Sequence, residues 1–462
     1  MRISLKLFLL LTLGIGLFAK SFSQEVTVRA QFNQVPNPGT KVIFEYIYGQ
    51  EWKQVEMKAL DGKGNVSFIF VPTVQGQYRF RFPTGKNGTT WSDFILISKK
   101  GEPSNYEFVI DYNSMSGNPL VVNNSIENAL YHPLMSAFIE YDALRLQKPQ
   151  QKEKLIESQR RLNQLSRKIA AENKGTFVGD IVSDLVYQPM SEDYNADKTE
   201  GLNDSLFYAK FGISKLPYYE TGALNHNLFV RSLERYFKHF QNDKNPNYSI
   251  DFIDGVMTRS GGLEEVDQFL FKYLLDKMLG YKNEEGLTHL LTHYAQDCTE
   301  HADGNSQTEQ LVKTLKEVEP GKKAFPLTLP DINGKNISLL ETCKKNELTL
   351  ILFWKSSCNH CEEFKPVLKD IYDRYHGQGL EVYAISIDKT QEDWSNYVKA
   401  HPQPWKDVFL SFAVRKEFNQ HYPVPSTPTL IALDKEGRVV SRLIVRSKAE
   451  DFIKEELAKR KK

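Results

Sequence analysis

The sequence predicts a multidomain chain of three regions behind a short leader. These are an N-terminal antiparallel β-sandwich over 24–120, a central all-α region over 121–318, and a C-terminal α/β domain over 319–462. Three observations carry this. Short runs of β-branched and aromatic residues alternate with turn signals as far as Leu120. Apolar residues then take helical spacing to Val318. From Pro320 strand-like and helix-like stretches alternate.

The leader is residues 1–23. Arg2 and Lys6 precede an apolar stretch from Leu7 to Phe18, and Ser21 and Ser23 bracket Phe22 before Gln24, the pattern of a cleaved secretory signal peptide. An uncleaved anchor is the alternative, although the stretch is short of the ~20 residues a membrane helix needs. No second long apolar stretch follows, so the mature chain is expected in the periplasm without a membrane span. The formal charge is +1, and losing Arg2, Lys6 and Lys20 takes it to −2. With no long basic run, this excludes a nucleic-acid-binding footprint.

In the first region "EVTVRAQF", "KVIFEYIY", "VSFIFV", "QYRFRF", "FILIS" and "YEFVIDY" read as strands, separated by Pro36–Gly39, Asp61–Gly64 and Gly85–Gly88. In the second, Leu155, Leu162, Leu165 and Ile169 mark one helix, stopped at Gly175. "LFVRSLERYFKHF" and "VDQFLFKYLLDKMLGY" mark two more. In the third, "LTLILFW" and "LEVYAISID" are continuous apolar strands, as expected in a sheet covered on both faces. "EEFKPVLKDIYDRYHG" is a helix between them. "TLIALD" and "VVSRLIV" form a hairpin about Lys435-Glu436-Gly437, and "KAEDFIKEELAKR" is a closing helix. "EVEPGKKAFP" is the linker.

The chain holds four cysteines, Cys298, Cys343, Cys358 and Cys361. Few cysteines in an exported chain, two of them in C-x-x-C, point to redox work more than to scaffolding. Cys358 follows "LTLILFW" through a short turn and should begin the next helix. There the free N–H groups and partial positive charge stabilise a thiolate, the attacking species in disulfide exchange. Cys361, one turn further in, is placed to attack the mixed disulfide and release the product. His360 is the candidate tuning residue, since an imidazolium or its N–H favours the Cys358 thiolate and makes the disulfide more oxidising. Lys355 would act in the same sense. The competing reading leaves His360 a solvated helix residue. Zinc would need two further ligands nearby, and a purely structural disulfide would not need the strand–turn–helix setting.

"PGKKAFPLTLPDINGKNISL", "LILFWKSSCNHCEEFKPVL", "VYAISID" and "YPVPSTPTLIALDKEGRVV" together resemble the thioredoxin-like, exported thiol–disulfide oxidoreductases of the TlpA/ResA type, over the C-terminal 140 residues. The resemblance implies a central sheet flanked by helices, Cys358 as exposed nucleophile and Cys361 as resolving thiol. It also implies a cis Thr427–Pro428 bond facing the cysteines, with the Thr427 backbone free to pair with a substrate strand. The chain departs from the pattern at Ser357, where the family usually has Trp, and at Phe364, where an acidic residue is common. It also departs at Leu352, where thioredoxins bury an Asp. The usual proton acceptor for Cys361 is thus missing, with Glu362 or Glu363 as candidate substitutes. The arrangement of β-domain, helical domain and thioredoxin-like domain also resembles a recurring exported architecture.

His289, His293, Cys298 and His301 form a second constellation. Two histidines four apart are a metal-ligand spacing, but no Glu follows His289 and the stretch reads as a helix end, so surface histidines are favoured and no metal is expected. Cys298 and Cys343 could pair, with two buried free thiols as the equal alternative. No phosphate loop, dinucleotide fingerprint or Ser/His/Asp motif is present, and no cofactor is expected. The expected activity is electron exchange between the Cys358/Cys361 pair and cysteines of other exported proteins, served by an upstream redox partner protein. The alternative is a periplasmic binding or interaction protein in which the redox pair is secondary or inactive.

Overall fold

The structure is a computed structural model. It describes residues 25–182, 221–295 and 307–460, except for 34–38, 73, 85–87, 98–101, 113–119, 122–124, 148–150, parts of 228–247, 259–263 and 425. The leader and Cys298 and His301 lie outside the described residues, and the predicted helix at 228–240 lies only partly within them. The chain forms two compact units, Met1–Asn245 with Thr258–Val266, and Pro246–Met257 with Asp267–Lys462.

The first unit opens with a sheet-rich region. Its strands are β1 (Val26–Asn33), β2 (Lys41–Tyr48), β3 (Glu51–Ala59), β4 (Asn65–Phe70), β5 (Gly76–Thr84), β6 (Gly88–Leu96), β7 (Asn105–Asp111) and β8 (Leu120–Val121). They form two sheets, ordered β4-β1-β7-β8 and β3-β2-β5-β6. Alternating residues of each strand turn inward, and Val28, Phe44, Phe68, Phe80, Phe94 and Phe108 meet in one core. One pair corrects the antiparallel expectation: β1 runs parallel to β7, Val28 opposite Tyr106. The reason is topological, because the chain leaves β1 for the other sheet and re-enters beside it in the same direction.

Helices follow: α1 (Ile126–Leu146), α2 (Lys152–Glu172) and α3 (Phe177–Ile181). Ser125 caps α1 by accepting from the Asn128 N–H, and Thr176 caps α3 by accepting from the Gly179 N–H. Leu134, Phe138, Leu162 and Ile169 pack with Ile95 and Ile97. Next come α4 (Tyr248–Met257), α5 (Glu264–Gly280), α6 (Glu284–His293) and α7 (Gln307–Glu317).

The second unit ends in an α/β domain. After a small hairpin, β9 (Thr328–Pro330) and β10 (Asn336–Ser338), come α8 (Leu339–Lys344), β11 (Leu348–Trp354), α9 (Asn359–Tyr375), β12 (Leu380–Ser386), α10 (Gln391–Ala400), β13 (Lys406–Phe409), α11 (Phe412–Phe418), β14 (Thr429–Asp434), β15 (Val439–Ser441) and α12 (Ala449–Arg460). The five-stranded sheet is ordered β13-β12-β11-β14-β15, parallel from β11 to β13 and antiparallel from β11 to β15. Every residue of β11 and β12 is buried. Period-two alternation splits β11 between two cores. Leu348, Leu350, Leu352 and Trp354 face α9, α10 and α12, while Ile351 and Phe353 face α8 and α11. The β14–β15 turn closes on Gly437 at φ 75°, a backbone conformation that glycine adopts without strain.

Candidate active site

β11 delivers the chain to the C-terminal edge of the sheet, and three residues, Lys355 to Ser357, carry it into α9. The turn is pinned from below. The buried Asp388 carboxylate, just after β12, accepts from the Ser356 N–H at 3.0 Å, the Ser356 hydroxyl at 2.8 Å and the Ser386 hydroxyl at 2.8 Å. Cys358 is the N-cap residue of α9. It has extended backbone angles, and its Sγ accepts from the Cys361 N–H at 3.3 Å. The sulfur therefore occupies the place a capping oxygen normally fills, where the first turn of a helix has N–H groups to spare.

The two sulfurs are unlike. Cys358 is half-buried and Cys361 is 1% exposed, and both are free thiols. Burial opposes ionisation of Cys358. Hydrogen bonds from the Cys361 thiol and the Thr427 side chain, and from the backbone N–H groups of Cys361 and His360, outweigh it and hold its pKa below the ordinary thiol value. Cys361 is pushed up to about 12, first by burial and then by the adjacent Cys358. One thiol is thus biased toward thiolate and partly exposed, and the other is biased toward thiol and buried.

Thr427–Pro428 is cis, and the Cys358 thiol lies 3.4 Å from the Thr427 carbonyl oxygen. The His360 imidazole does not turn toward the sulfur. It is 67% exposed, with Nδ1 3.3 Å from Glu363 Oε2, and it is the His360 backbone N–H that reaches Cys358. Glu362 is bound by the Tyr397 hydroxyl at 2.7 Å. Cys343 is a free thiol on α8 at 0% exposure, its pKa pushed up to about 11 by burial. His289 sits 2.6 Å from Asp254, and the His293 ring bonds the His289 carbonyl.

Sequence reasoning missed two charged groups beneath the cysteines. Lys365, on α9, is 4% exposed, and its Nζ lies 3.2 Å from the Trp354 ring centre and 3.8 Å from that of Tyr397. Asp407, on β13, accepts from the Trp394 indole N–H at 3.4 Å, and burial raises its carboxyl to about 6. A signal for Lys365 existed: Cys361, Phe364, Leu368, Ile371 and Tyr372 mark the buried face of α9, and position 365 falls on it.

The profile of the thioredoxin-like family matches residues 346–439. The thiol–disulfide oxidoreductase ResA of Bacillus cereus is 29% identical over 131 residues, which are 28% of this chain and 72% of ResA. Human nucleoredoxin-like protein 1 is 28% identical over 107 residues, 21% of this chain and 50% of that protein. The crystal structure of the thioredoxin domain of a thiol–disulfide oxidoreductase from Bacteroides vulgatus aligns at 25% identity and TM-score 0.28, covering 29% of this chain and 96% of that one. A thioredoxin-like protein from Bacteroides caccae aligns at 19% identity and TM-score 0.44, covering 53% and 92%.

Proposed function

We propose that this chain, a thioredoxin-like protein of the TlpA/ResA type, is an exported thiol–disulfide oxidoreductase whose Cys358/Cys361 pair exchanges electrons with cysteines of other exported proteins. The observation that carries the reading is the opposite bias of the two thiols. Cys358 caps a helix and is held toward thiolate, while Cys361, one turn in, is buried and held toward thiol.

In the reducing direction the Cys358 thiolate attacks one sulfur of a substrate disulfide, and the other substrate sulfur leaves and is protonated. Cys361 then loses its proton and attacks Cys358 Sγ. The Cys358–Cys361 disulfide forms, the mixed disulfide breaks, and the second substrate sulfur departs as a thiol. Two electrons have passed from the protein to the substrate. The upstream redox partner reverses this on the protein. Among the described residues no helix is long and apolar enough to cross a membrane. The leader at 1–23 supports export to the periplasm. The Thr427 backbone, beside the sulfur, supports a docking place for a substrate strand.

The reading is tested by the reduction of insulin with dithiothreitol. The full chain should accelerate the appearance of reduced B-chain, and Cys358→Ser should return the rate to that of dithiothreitol alone. No acceleration by the wild-type chain would overturn it.

A further inference from the structure

The resolving step asks for a group that stabilises the Cys361 thiolate. Cys361 is 1% exposed and must become a thiolate to attack. The family position that commonly carries an acid is Phe364, and the position where thioredoxins bury an Asp is Leu352. Neither Glu362 nor Glu363 fills the gap, because Glu362 is held at the surface by the Tyr397 hydroxyl and Glu363 faces His360 in solvent.

Lys365 does lie where a charge would act. It is four residues beyond Cys361 on α9, so the two share a helix face with Cβ atoms about 5–6 Å apart. Its ammonium is buried between the Trp354 and Tyr397 rings, has no hydrogen-bond acceptor, and has Glu362 Oε1 at 3.8 Å as its nearest ion-pair partner. Lysine is among the residues least often buried without a partner, and leaving a buried donor unsatisfied is costly. Aromatic faces compensate a cation in part. An apolar side chain would fill the same space without that cost, so the charge calls for a reason.

We propose that Lys365 is a positioning residue for the resolving thiol: its ammonium, held dry beneath the C-x-x-C turn, stabilises the Cys361 thiolate as it forms and attacks Cys358. This rests on the oxidoreductase reading above. In the step, Cys361 gives up its proton as its sulfur attacks Cys358 Sγ. The Cys358–substrate bond breaks, and the departing substrate sulfur takes up a proton. Lys365 keeps its own protons throughout and supplies field only, which is strong because water is excluded there.

The charged and titratable groups that act on the ammonium are Asp407 from β13, Glu362 and Cys361 from its own helix and Asp388 after β12, with the Trp354 ring from β11 and the Tyr397 ring from α10 against it. Asp388 is engaged by Ser356 and Ser386. Burial lowers Lys365 to about 8, so the charge is present at neutral pH and fades above that value.

The test uses the full chain carrying Cys358→Ser, with alkylation of Cys361 followed by peptide mass spectrometry at pH 7. Alkylation rate reports thiolate population whether or not the protein is an oxidoreductase. Lys365→Met should slow Cys361 alkylation about tenfold, equivalent to one unit of thiol pKa, and Lys365→Arg should restore it to within about twofold. Cys343, buried in the same domain, is the internal control: a loosened fold speeds both thiols, whereas a lost charge slows Cys361 alone. The wild-type advantage should shrink above pH 8. With Cys358 intact, release of glutathione from its mixed disulfide should slow about tenfold in Lys365→Met. Equal Cys361 alkylation in wild type and Lys365→Met would overturn the proposal. Slowed alkylation in a chain whose wild type releases no glutathione would uphold the charge coupling and overturn the oxidoreductase reading instead.

Discussion

The backbone N–H of Cys361 donates to Sγ of Cys358 across 3.3 Å, so the nucleophile caps the helix turn that carries the resolving residue. With the His360 N–H and the Thr427 side chain, it makes the thiolate the better acceptor. The Cys361 thiol and the Thr427 side chain act on the thiolate ahead of these backbone donors, while the His360 imidazole faces Glu363. Cys358 should titrate below the ~8.5 of a free thiol. His360→Ala keeps the N–H and should shift that value by only a few tenths of a unit. His360→Pro removes the N–H and should raise it by roughly one unit. Thiolate absorbance against pH, read on the three proteins, checks both; a large rise in the Ala variant would return the tuning role to the imidazole.

Asp407 gives a pH dependence of stability. Its carboxyl is raised from 3.8 to about 6 in the fold, by burial opposed by Lys365 and the Trp394 indole N–H. Between those values the folded state holds a proton the unfolded chain has lost. The stability this contributes is fully present below about pH 4 and is lost as pH rises through about 6. Asp407→Asn removes the titration. The wild-type stability minus the variant's should therefore fall by roughly 2–3 kcal/mol between pH 4 and pH 7. Urea unfolding at several pH values measures it, and parallel curves would refute it.

Arg442, after β15, is 1% exposed. Its Nε lies 2.7 Å from Glu284 Oε1, and it donates to the Leu315 carbonyl at 2.7 Å and the Thr288 hydroxyl at 3.0 Å, so it ties α6 and α7 to the sheet of the second unit. Removing one partner of a buried pair costs about 3–5 kcal/mol. Arg442→Met should destabilise the unit by about that amount, and the double variant with Glu284→Gln by less. Thermal unfolding of the single and double variants checks the pair; a single variant as stable as wild type would show the tie to be dispensable.

The C-terminal domain was legible because its strands are continuous apolar runs and its C-x-x-C stands at a strand–helix junction. The β-strands with inward aromatic residues were equally plain. β3, "EWKQVEMKA", was missed because an edge strand with no fully buried residue leaves no apolar run to read. The parallel β1–β7 pair was hidden because direction depends on where the chain re-enters a sheet, not on local pattern. At His360 the spacing brings the residue beside the sulfur, but whether side chain or backbone does the work is a matter of geometry alone. Lys365 and Asp407 lie 42 positions apart, and only the folded sheet places both beneath the same turn.

The central claim is that Cys358 attacks and Cys361 resolves, and trapping of the mixed disulfide tests it most directly. The full chain carrying Cys361→Ser is incubated with a disulfide-bonded protein substrate, quenched with acid, and separated without reductant, and the linked cysteine is found by mass spectrometry. The adduct should accumulate through Cys358, and Cys358→Ser should form none. An adduct through Cys361 in the Cys358→Ser chain, with none through Cys358 in the other, would contradict the assignment.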